Sequence, residues 1–193
     1  MNHCQECGRN FGPHYTGPCE HQALPPQGGC WQGQFYDFDR AKTYVMAGNA
    51  IVTLRSRRTG GRFTFKFRRP SEPLDEVVER SPQLKDVLWL HTLTGPDNEF
   101  NYQFTGTFRK DVGRWLYRHS KHTRIGLSAP SVIAARWFID LLTSPDAYRH
   151  EMLMKQVEVW HEGRCGRCGR RLTVPESIQT GFGPECIKEV SRV

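Results

Sequence analysis

From His161 to Cys186 the chain reads H-E-G-R-C-G-R-C-G-R-R-L-T-V-P-E-S-I-Q-T-G-F-G-P-E-C, and this run constrains the fold more than any other. Cys165 and Cys168 lie two residues apart, with Gly166 between them and Gly169 after them. Those glycines permit the tight turn that aims two sulfurs at one point, which is half of a tetrahedral zinc site. Cys186 follows Gly183-Pro184-Glu185 in the first turn of an expected short helix, Pro184 to Val190. Free amides and the helix dipole favour a thiolate there, so Cys186 is the expected third ligand. His161, four residues before Cys165, is the expected fourth, with a water or a residue from elsewhere as the alternative.

The same residues carry a resemblance. The pattern C-x-x-C-G-R-x-L, then P-x-S, then G-x-G-P-x-C is similar to a small cysteine-bearing domain of unknown function found in bacteriophage and bacterial proteins. The resemblance implies a zinc fold and a phage origin, hence the cytoplasm of an infected bacterial host. It implies no reaction.

At the other end, Cys4-x-x-Cys7-Gly8-Arg9 followed by Gly17-Pro18-Cys19 repeats the C-x-x-C-G-R and G-P-E-C elements in compressed form. Residues 1–30 hold few aliphatic side chains, and a segment that cannot fold by burial needs a metal. His21 is the expected fourth ligand beside Cys4, Cys7 and Cys19, with His14, His3 and Cys30 as rivals. Two structural zinc ions are therefore expected, in modules spanning 1–30 and 158–193 around a central domain at 31–157.

Seven cysteines, six of them in two terminal clusters, do not make a disulfide framework. The polar start Asn2-His3-Cys4-Gln5-Glu6 is no signal peptide, and no apolar run approaches a membrane span. A reduced, soluble, intracellular protein is expected. With 27 Lys and Arg against 20 Asp and Glu, the chain carries a net charge of +7, which favours a polyanionic partner.

The central region reads as α+β, an antiparallel sheet of four or five strands with one or two packed helices. Ala50 to Ser56 and Arg62 to Arg69 alternate as strands about the turn Arg58-Thr59-Gly60-Gly61. Phe63, Phe65 and Phe67 share one face, and Arg62, Lys66 and Arg68 share the other. Val87 to Thr92 and Glu99 to Phe108 form a second hairpin, with Phe100, Tyr102 and Phe104 expected in the core and a bulge or a strand end expected near Gly106. Pro130 to Leu142 reads as a helix capped by Ser128, with Arg136 and Asp140 as a polar seam. Asp146 to Lys155 reads as a second helix, and Val157 to Trp160 as a strand leading into His161.

No acidic residue interrupts the chain between Asp39 and Glu72, while Arg55, Arg57, Arg58, Arg62, Lys66 and Arg68 fall within that span. Such a hairpin can track a phosphate backbone. Arg114, Arg118 and Lys121, interleaved with Trp115 and Tyr117, form a second basic stretch, and aromatics beside cations suit unpaired bases. No phosphate-binding loop, nucleophile elbow or H-E-x-x-H occurs, so an enzyme is not expected and no small-molecule substrate is indicated. The expected function is nucleic-acid binding, with single strands or structured ends preferred. The alternative is docking on a host protein as an inhibitor or anti-defence factor.

Overall fold

The structure is a computed structural model that describes residues 2–3, 10–11, 33–70 and 86–191. Its centre is one antiparallel sheet of seven strands, more than the four or five expected. These are β3 (Gly33–Phe35), β4 (Asn49–Ser56), β5 (Arg62–Arg68), β6 (Val87–Leu93), β7 (Tyr102–Asp111), β8 (Arg114–His119) and β9 (Val157–His161), in the order β3-β9-β4-β5-β6-β7-β8. A separate pair, β1 (Asn2–His3) with β2 (Asn10–Phe11), is antiparallel. Cys4, Cys7, Cys19, His21 and the rivals His14 and Cys30 lie outside the described residues.

Alternation along the strands decides which face is buried. Ala50, Val52 and Leu54 of β4, Phe65 and Phe67 of β5, Leu88 and Leu90 of β6, Phe108 of β7, and Val157 and Val159 of β9 share one face and form the core. Three helices bury their apolar stripes in that core: α1 (Phe38–Met46), α2 (Pro130–Thr143) and α3 (Ala147–Gln156). In α1 the buried positions Ala41, Tyr44 and Val45 stand three and four residues apart, as a helix lying on a sheet requires. Asp37 caps it by accepting the Arg40 amide at 2.8 Å.

One local expectation is corrected. The N-cap of α2 is Ala129, not Ser128, and it makes no side-chain cap; Pro130 removes one of the amides that would need capping. Arg136 and Asp140 form the exposed polar seam expected, but their partners lie on other elements. The Arg149 guanidinium donates to Asp140 at 2.6 Å, and Arg136 instead lies over the Tyr117 ring at 5.8 Å.

The expected bulge is present. Leu90 opposes Gly106 while His91 opposes Phe104, so Thr105 has no partner on β6. The Thr105 side chain turns inward and meets the Thr92 hydroxyl at 2.9 Å. This extra residue reverses the parity of β7. Phe104 and Tyr102 therefore lie on the face opposite Phe108, and Phe100, in the loop before the strand, is 80% exposed. Their expected place in the core is overturned.

Candidate metal centre and the open sheet face

The last third of the chain returns to the sheet as its second strand, one in from the β3 edge. Strand β9 lies between β3 and β4, with His161 opposite Gly33 on one side and Val52 on the other. After it come the cysteine loop, α4 (Pro175–Thr180) and α5 (Pro184–Val190). Cys165, Leu172, Ile178 and Phe182 join the same core as the helices and sheet, and Cys186, Ile187 and Val190 pack against it.

Cys165 and Cys168 sit on a tight turn of the kind that presents two thiols to one metal ion. The Gly169 amide donates to the Cys165 carbonyl at 2.9 Å, and Gly169 has φ of 74°, a left-handed value that a side chain would strain. Burial works to raise the Cys165 thiol, but the amides of Cys168, Gly183 and Arg167 donate to its sulfur and hold it below the ordinary range. Cys186, in the first turn of α5, brings the third sulfur. The three Sγ atoms lie within 4.8 Å of one another, Cys165 buried, Cys186 half-buried and Cys168 exposed. Tetrahedral zinc with bonds near 2.3 Å spaces its sulfurs about 3.8 Å apart, so a small contraction would close this cluster on one ion. Burial, with the thiols of Cys168 and Cys165 beside it, pushes Cys186 up to about 11. Three sulfurs this close cannot all ionise unaided, and a divalent cation would remove that penalty. The donor set fits a metal ion.

His161 is not part of this cluster, contrary to expectation. Its Nε2 bonds the Ile178 carbonyl at 2.7 Å, and its Nδ1 accepts the Gly163 amide at 3.2 Å, so both nitrogens are taken by backbone. The ring is buried against Phe35 and Tyr44, with centroids at 5.0 and 5.2 Å. Burial lowers its pKa to about 4, which keeps the imidazole neutral. A Cβ at Gly33 would overlap this ring, which explains the glycine opposite it. His161 is a core post that orders α4. Among the described residues no fourth His, Cys, Asp or Glu joins the three sulfurs.

The second candidate site is the face of the sheet away from α1, α2 and α3. Cross-strand pairing sets its residues in rows. Arg68 stands opposite Trp89, Trp89 opposite Thr107, and Thr107 opposite Arg118. In the next row Lys66 opposes His91, which opposes Phe104. Trp89 is 40% exposed and Phe104 38%, and the His91 and Phe104 rings lie 5.3 Å apart. Burial, with Arg68 and Lys66 nearby, pushes His91 down to about 4, and its Nδ1 has no hydrogen-bond partner.

The structure sorts the predicted cations. Arg62, Lys66, Arg68 and Arg118 are on this face, with Arg109 beside them in the register. Arg55 shares the face, but Glu158 of β9 lies 3.4 Å from both Arg55 and Arg57 and partly neutralises them. That acid is remote in sequence, which is why the acid-free run did not reveal it. Arg58 is in the exposed β4–β5 turn, Arg114 opens β8 beside the β7–β8 turn, and Lys121 lies beyond the end of β8. Lys66 is half-buried, with Nζ over the Tyr102 ring at 3.9 Å, and the Tyr102 hydroxyl meets Glu162 at 3.5 Å. Trp115 and Tyr117, expected to stack on bases, point to the helix side and pack against the core. Trp89, His91 and Phe104 were not anticipated on a binding face. Their signal was the alternation of β6 and the bulge opposite it.

Residues 159–191, beginning in β9 and covering both cysteine segments, match a family of unknown function (DUF6011). No curated protein and no solved structure matches the chain. No described helix is long and apolar enough to cross a membrane.

Proposed function

We propose that this protein binds single-stranded nucleic acid on the open face of its sheet, with a structural zinc ion at Cys165, Cys168 and Cys186. The observation that carries the reading is the pair of rows that puts Arg68 and Arg118 at the ends of a line through Trp89, with Lys66, His91 and Phe104 alongside. Strands lie about 4.8 Å apart, so Arg68 and Arg118 bracket about 14 Å of platform. Unpaired bases stack on exposed aromatic rings, while flanking cations take the phosphates and release their counterions. A duplex offers no base faces to such a platform, which favours single strands or frayed ends.

Zinc is the metal that suits three thiolates, and water or a ligand beyond the described residues would complete its coordination. It would tie the cysteine turn to α5 and so fix the chain that follows β9. The test is a titration of a fluorescent single strand at low and raised salt. The affinity should fall as salt rises and should exceed that for a blunt duplex of the same length. Salt-independent binding, or none, would remove the proposal.

A further inference from the structure

The far edge of the sheet offers a second site, which meets the open face at Arg118. Strand β8 is the last in the order, so one rail of its backbone amides and carbonyls is not paired with any described strand. Beside it lies a cleft of about 640 Å³, a size typical of ligand-accepting clefts. Trp115, Leu116, Tyr117 and Arg118 all line it. Successive strand side chains point to opposite faces, so a cleft touching four in a row follows the backbone edge, and Phe108 behind them sets it on the helix side of that edge. The opposite wall is a stripe of α2, Ile133, Arg136, Trp137 and Asp140, spaced three and four residues apart. Ile133 is 54% exposed and Leu116 40% exposed, so the stripe and the edge are not covered by any described element.

We infer that this groove takes an extended, acidic peptide segment of a partner protein, added to β8 as a further strand. Unpaired edge and flanking helix together supply what strand addition uses: backbone bonds for affinity, and alternate pockets for side chains. Trp115, Tyr117 and Trp137 make the pockets apolar, so every second residue of the segment is aromatic or aliphatic. The residues between them are acidic, because Arg118 and Arg136 border the groove, and beside it the exposed cations Arg109, Lys110 and Arg114 outnumber the carboxylates of Asp86 and Asp111. The one carboxylate on the wall, Asp140, is already engaged by Arg149 at 2.6 Å. The same cations argue against a second copy as the occupant, since two edges carrying Arg114 and Arg118 would repel.

The test is selection of short randomised peptides against the full chain, followed by hydrogen exchange of the chain with the enriched peptide. The expected peptides alternate acidic and apolar residues, bind at least about tenfold more weakly to Arg136→Glu or Ile133→Glu, and slow exchange at amides within 114–119. Both substituted positions are exposed, so those variants fold. A labelled single strand should bind both variants within about a fewfold of the parent chain, which separates this site from the open face. No enrichment, enriched peptides that leave the amides of 114–119 unprotected, or a peptide-free dimer protected at those amides would each overturn the inference.

Discussion

The Tyr44 hydroxyl donates to the Arg164 carbonyl at 2.9 Å, so the middle of α1 holds the start of the cysteine loop. Tyr44 is fully buried, its ring 5.2 Å from His161 and 5.9 Å from Phe182. Tyr44→Phe keeps the ring contacts and leaves a part-buried carbonyl short of its donor. It should cost about 1–2 kcal/mol in denaturant unfolding, and a loss below about 0.3 kcal/mol would show that the bond does not anchor the loop.

Cys165 shares the core with the sheet, so metal loss should be felt beyond the loop. Zinc removal by a chelator is expected to lower the melting temperature of the whole chain and to speed amide exchange across residues 163–190. Cys168→Ala and Cys186→Ala should each lose about one zinc equivalent by elemental analysis. His161→Gln, where it folds, should keep that equivalent, and its loss there would restore His161 as a ligand.

Stability should depend on two imidazoles, His161 buried in the core and His91 half-buried on the sheet. His91 and His161 are each pushed down to about 4, chiefly by burial, from an ordinary value of 6.5. Above 6.5 both states are neutral and the stability is fully present. As pH falls from 6.5 toward 4 the unfolded chain takes up protons that the folded chain refuses, so stability is lost across that window. Denaturant midpoints measured from pH 7 to pH 4.5 should fall steadily, and Gly33→Ala, which crowds His161, should lower the whole curve.

Residue chemistry shows why parts of this structure were legible in the sequence and others were not. The cysteine turn and α5 were readable because C-x-x-C-G and G-P-E-C each place a thiol by a local turn. The Phe63, Phe65 and Phe67 face was readable because nothing interrupts its alternation. Strand β8 was not. It is joined to β7 through Val112 and Gly113, at φ of 42° and 79°, and a valine in that conformation gives no hint of a hairpin. Its edge cleft was therefore hidden too. Helix α1 did have readable signals, Asp37 as its cap and Ala41, Tyr44 and Val45 as its stripe, but a nine-residue element between two strands is easily taken for a connection. The position of Phe104 depended on where the bulge falls, and His161 has ligand-like spacing but a core environment. Both are settled by packing between distant segments.

The most direct measurement compares two charge reversals of equal size. Arg68→Glu with Arg118→Glu changes the open face, while Arg40→Glu with Lys155→Glu makes the same change in net charge on α1 and α3. Single-strand affinity at fixed salt should fall at least about a hundredfold for the first pair and by only a fewfold for the second. Equal losses for the two pairs would contradict a binding platform on this face.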